Sequence, residues 1–137
     1  MKVYQTKIRP IPGTDFREVH KKAFNLFKQL KSKSKRRAYV RSAYFNKNKV
    51  FLDIFWGHLF EKPNWRDRVR RVKYFPPGID LIQNSRFEPK TKENPNKSGE
   101  TLYRFAGMTS ESELFYVQIK EDKKRQQKLL ISIFPDK

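Results

Sequence analysis

The 137-residue chain carries 32 Lys and Arg against 14 Asp and Glu, a formal charge of +18 with a pI near 10.3, and it has no cysteine. A charge of that size repels itself and costs stability, so it points away from a small-metabolite enzyme and toward a polyanionic partner, with nucleic acid first. The missing cysteines remove disulfides, zinc fingers, iron–sulfur clusters and thiol nucleophiles together.

The length predicts one domain, 1–137, with a basic and mainly helical part over 1–75 and a short helix, loop and antiparallel sheet over 76–137. Residues 1–75 hold 21 bases against 5 acids, whereas residues 76–137 hold 11 against 9. The start, "MKVYQTKIRP", has no apolar core of a secretory signal. The longest apolar stretch, "VFLDIFWGHLF", is too short to span a membrane and is interrupted by Asp53 and His58. A cytoplasmic protein with no membrane partner is the expectation. The apolar stripe and flanking lysines of 15–31 would also suit a membrane surface, but a core-facing helix needs the same stripe.

In chain order, "PIPGTDFREVHKKAFNLFKQLK" predicts a first helix over 15–31, capped by Thr14, with Phe16, Val19, Ala23, Phe27 and Leu30 on one face. The run from Lys28 to Arg41 then holds seven bases and no acid. Runs of this kind usually form a solvated face, but Tyr39, Tyr44 and Phe45 follow at once. Lys33, Lys35, Arg36, Arg37 and Arg41 are therefore candidate phosphate contacts. "RRAYVRSAYF" favours a short strand. "NKVFLDIFWGHLFEK" predicts a buried helix bearing Phe51, Ile54, Phe55, His58 and Leu59. "PNWRDRVRRVKYF" predicts a third helix with Pro63 at its first position and Arg66, Arg70 and Lys73 along one edge. "PPGIDLIQNS" ends it and starts a short helix, and "RFEPKTKENPNKSGE" reads as a long loop.

Three strands close the chain: "TLYRFAG", "LFYVQIK" and "KLLISIF". Helices first and strands last predict an α+β domain, with N-terminal helices packed on one face of a C-terminal three- or four-stranded antiparallel sheet. Alternation puts Tyr103, Phe105, Phe115, Val117, Ile119, Leu129, Ile131 and Ile133 on the covered face. Arg104, Tyr116, Gln118, Lys120 and Ser132 fall on the open face. That open face offers cations, an amide and hydroxyls but no carboxylate, which suits a phosphate. No histidine, glutamate or aspartate grouping has metal-ligand spacing, so neither metal nor cofactor is expected.

The order of "DRVRRVKYFPPGIDLIQNS", "ETLYRFAG", "FYVQIKED" and "LISIFP" over roughly residues 65–135 resembles the barnase–EndoU–colicin–RelE superfamily of small ribonucleases and toxins, in its phage-associated, uncharacterised branch. The resemblance implies metal-independent RNA cleavage through attack of the 2′-OH on the phosphodiester. It places Arg104 and Lys120 on the scissile phosphate, Ser132 and Gln118 as donors, and Arg71 or Arg70 as a contribution from the basic helix. His58 is a candidate acid or base. Many members carry a histidine on the basic helix or at the proline turn, where this chain has Lys73 and Tyr74. A non-catalytic nucleic-acid-binding protein using the same surface is the alternative, as is an interaction protein such as an antitoxin. The implied partners are RNA and, for a toxin, an acidic inhibitor protein.

Overall fold

The computed structural model describes residues 2–61 and 64–136. Its elements follow in the order β1 (Tyr4–Gln5), α1 (Phe16–Ser32), β2 (Tyr39–Arg41), β3 (Lys49–Phe51), α2 (Asp53–Phe60), α3 (Trp65–Lys73), α4 (Phe75–Asn84), β4 (Lys90–Glu93), β5 (Glu100–Met108), β6 (Leu114–Asp122) and β7 (Gln127–Pro135). The seven strands make one mixed sheet, ordered β1-β5-β6-β7-β3-β2 with β4 also on β5, and curled into a half-barrel. β1 on β5 and β3 on β7 run parallel, and the other pairs are antiparallel.

This corrects the expected three- or four-stranded antiparallel sheet with its helices gathered ahead of it. The central β5–β6–β7 meander forms as the alternation predicts. The expectation fails at the short strands, because helices are interleaved with strands along the chain. The helical spacing assigned to "NKVFLDIFWGHLFEK" runs too far back: Lys49–Phe51 is a strand, and the helix starts at Asp53. The long loop contains β4, whose Lys-Thr-Lys-Glu sequence is exposed throughout and has no apolar alternation to betray it.

α1 is capped by Asp15, not Thr14: the Asp15 carboxylate accepts from the Arg17 backbone N–H at 3.0 Å. Its Val19, Ala23 and Phe27 are buried at the expected spacing. α3 is capped in the same way by Asn64 and buries Val69 and Val72, which leaves Arg66 and Arg70 exposed. Pro63 lies outside the described residues. α4 starts with prolines in its first turn, where the missing N–H costs nothing. It lies on the apolar face of β5–β7 so tightly that a Cβ on Gly78 would come within 2.5 Å of the Ile133 side chain.

β7 contains the second correction. Gln118 pairs with Ser132 but Ile119 pairs with Leu130, so Ile131 is an extra residue in a β-bulge. The bulge reverses parity, putting Leu130 rather than Leu129 and Ile131 with the core residues Phe115, Val117, Ile119 and Ile133. β3 accompanies β7 for only two residue pairs before α2 begins, and α2 and α3 pack along the remainder.

Candidate functional site

Opposite residues on neighbouring strands project to the same side, so the register predicts what the open face displays. Lys90 lies opposite Arg104, Arg104 opposite Gln118, and Gln118 opposite Ser132. One row of polar side chains therefore crosses β4, β5, β6 and β7 at about 4.8 Å per strand. The next row holds Tyr116 opposite Phe134, whose rings pack at 5.5 Å.

At the β7 end, α3 completes the row. Arg71 Nη1 donates to Ser132 Oγ at 2.6 Å, and its Nε donates to Asp67 Oδ2 at 3.1 Å. With its oxygen accepting from Arg71, the Ser132 hydroxyl keeps its own proton for another acceptor. The bulge serves this arrangement by turning both Ile131 and Ser132 into the cleft between helices and sheet. That cleft, of about 320 Å³, is lined by His58, Arg71, Arg104, Gln118, Ile131, Ser132 and Phe134, with Phe55 and Leu59 at its base.

Among the described residues no carboxylate lines it. The Arg71 and Arg104 guanidiniums lie 5.3 and 5.5 Å from the centroid of one ring, that of Phe134, and Arg104 also sits 5.6 Å from Tyr116. Asp67 offsets part of the charge of Arg71, but both guanidiniums line the cleft and offer it N–H donors suited to an anion. His58 Nδ1 lies 3.5 Å from Glu61 Oε2, and the residue lines the cleft. The Tyr116 hydroxyl donates to Asp136 Oδ1, and burial followed by that bond raises its pKa.

Five of the six candidates for catalysis thus share one cleft. Lys120 does not. It shares the face but turns its ammonium to Glu100 Oε2 at 3.5 Å, where Lys97 also binds. Glu100 accepts from Asn94 as well, and that bond is the main cause of its lowered pKa. Of the helix pair left open by the sequence, Arg71 reaches the sheet, whereas Arg70 opens onto another hollow beside Arg9, Lys73 and Glu113. Arg66 is exposed at the other end of α3. His20 packs among Phe16, Phe24 and Trp56, and burial lowers its pKa.

The basic run is divided. Lys33 and Arg41 line a separate hollow beyond the edge strand β2. Lys35 and Arg36 are exposed in the bend after α1. Arg37 is engaged, with two hydrogen bonds to Asp53 and its guanidinium 4.4 Å from the Phe51 centroid. Sequence reasoning missed Asp67, Phe134 and Lys90. Phe134 was legible two places beyond Ser132 on the same alternation. Asp67 was four residues before Arg71 on a helix, and Lys90 was hidden in a stretch read as loop.

Among the described residues no group of three or more His, Cys, Asp or Glu is placed to hold a metal ion, and no helix is long and apolar enough to cross a membrane. Compared with protein-family models, curated proteins and solved structures, the chain matches none of them.

Proposed function

We propose that the protein binds RNA and cleaves it in the cleft between α2, α3 and the open sheet face, by attack of the ribose 2′-OH on the adjacent phosphorus. The observation behind this reading is the pair of guanidiniums converging on Phe134 with no carboxylate lining the cleft. Arg71 and Arg104 hold the non-bridging oxygens and stabilise the charge that builds up in the phosphorane. The Ser132 hydroxyl and the Gln118 amide donate to the same oxygens. Asp67 holds Arg71 in place before substrate arrives, so little reorganisation remains for the reaction itself. His58 is the one imidazole lining the cleft, and it moves the proton between the 2′-OH and the leaving 5′-oxygen. The sequence motifs over residues 65–135 that resemble the barnase–EndoU–colicin–RelE nucleases suggest the same chemistry.

The test is incubation of single-stranded RNA with the protein in the presence of a chelator, with the new ends identified. A 2′,3′-cyclic phosphate is expected, and no cutting of the same sequence with deoxyribose at the scissile nucleotide. Cleavage of the deoxy strand, or a 3′-hydroxyl product, would reject the mechanism. Tight, salt-dependent RNA binding without any cleavage would leave a non-catalytic binding protein.

A further inference from the structure

Beyond edge strand β2, between the C-terminal ends of α1 and α4, lies a hollow of about 850 Å³. A second, of about 500 Å³, lies between the β2–β3 hairpin and the β6–β7 turn, and the two share Arg41, Asn46 and Lys47. The two adjoin at those three residues and are together termed the groove. Its cations include Lys33, Lys47, Lys49 and Arg86, and neither part is lined by Asp or Glu. No carboxylate of the described residues lies within ion-pair distance of those four.

The groove is built, not frayed. Asn46 and Lys47 both adopt left-handed φ, 55° and 66°, in a turn closed by the Lys47 N–H on the Ser42 carbonyl. Arg41 donates to the Lys47 carbonyl at 3.0 Å. The one aromatic ring lining the larger hollow, Tyr39, is attended by Lys49 at 4.7 Å and Arg41 at 5.5 Å. Its ring is engaged by cations instead of being left bare for a base, and Phe51, the ring lining the smaller hollow, carries the Arg37 guanidinium at 4.4 Å. Ser34 and the side-chain amides of Asn46, Gln83 and Asn84 are the other polar groups of the larger hollow, Asn84 donating its amide N–H to Asp80.

We infer that this groove is a second nucleic-acid surface, one that takes the sugar–phosphate backbone of base-paired RNA. The inference rests on the RNA reading above. Cations and amides without a free aromatic platform contact phosphates and 2′-hydroxyls, which is how double-stranded RNA is recognised, its bases being stacked out of reach. Unpaired bases instead want open stacking surfaces. Lysine is depleted at protein–protein interfaces, and three of the four unpaired cations here are lysines, which favours RNA over an acidic protein.

The test compares wild type with Lys33→Ala/Lys47→Ala/Lys49→Ala/Arg86→Ala, all exposed positions, after thermal melts show that both are folded. The probes are a short RNA duplex with a single-stranded overhang, the overhang strand alone, and polyglutamate. The variant is expected to lose most of the wild type's preference for the duplex-bearing probe, and its salt slope should fall by about 3. Turnover of the short single strand at saturation should be unchanged. Equal duplex affinity in the two proteins, or tighter binding of polyglutamate than of duplex by wild type, would overturn the inference. Duplex binding lost in the variant, in a protein that cuts nothing, would uphold the groove and reject the cleavage reading.

Discussion

The cleft and the groove are both cationic, yet they are built in opposite ways. In the cleft each cation is oriented: Arg71 lies between Asp67 and Ser132, and Arg104 rests against Tyr116 and Phe134. In the groove Lys33, Lys47 and Arg86 are exposed, long and free of carboxylates. Oriented charge suits a reaction whose transition state must be met at fixed positions. Mobile charge suits a regular row of phosphates met anywhere along its length. The third cationic region, the β5–β6–β7 end of the sheet, borders the groove through Arg125 and Lys128 and is self-neutralised, with Lys97 and Lys120 on Glu100, Lys128 on Glu121 and Arg125 on Asp122. Charge alone therefore says little about function, and the partners of the charge say more.

Salt should separate the two regions most widely. RNA affinity is expected to fall about 10³-fold between ~50 and ~200 mM salt if about six phosphates are contacted. Turnover of a short single strand at saturation should barely move over the same range. Parallel losses, measured by anisotropy and by initial rates, would erase the distinction.

Arg104→Ala tests the oriented side. Its guanidinium is exposed, so thermal stability should stay near wild type, while the cleavage rate falls about 10²-fold and RNA affinity changes far less. A loss of affinity equal to the loss of rate would make the cleft a binding site only.

Gly78→Ala should weaken the scaffold beneath the cleft. The new Cβ would meet Ile133 Cδ1 at 2.5 Å, so denaturant unfolding should report a loss of about 1–3 kcal/mol. An unchanged midpoint would mean that α4 and β7 yield to one another freely.

Glu100→Gln probes the self-neutralised end. Because the folded-state pKa of Glu100 is lowered, its contribution to stability is complete above its ordinary value and is lost as the pH falls through the folded value. The gap in Tm between wild type and variant should thus be present near neutrality and close in acid. A gap that persists at low pH would trace to packing instead.

Lys120→Ala is expected to have the smallest effect, leaving the cleavage rate within about threefold of wild type, because its ammonium is turned to Glu100. A loss as large as that of Arg104→Ala would bring Lys120 back to the phosphate.

The sequence by itself determined the periodic parts. The buried face of α1, the exposed Arg66 and Arg70 of α3, the three long strands and the open-face residues Arg104, Tyr116, Gln118, Lys120 and Ser132 all follow from spacing. Spacing is a local property, read within a dozen residues. What only the tertiary structure decided is everything set by pairing between distant segments. β1, β3 and β4 are strands because β5 and β7 offer them hydrogen-bonding edges, and β4 in particular has no apolar pattern of its own. The bulge at Ile131 exists because two registers meet on β7, and no alternation within "KLLISIF" announces that Leu130 faces the core. The rotation of α3 that aims Arg71 instead of Arg70 at Ser132 comes from burying Val69 and Val72, and the direction of that burial depends on where β7 lies. Lys33, Lys47 and Arg86 meet around the edge of β2 for the same reason: α1 and α4 both end beside the β2–β3 turn, which brings together residues that the chain keeps far apart.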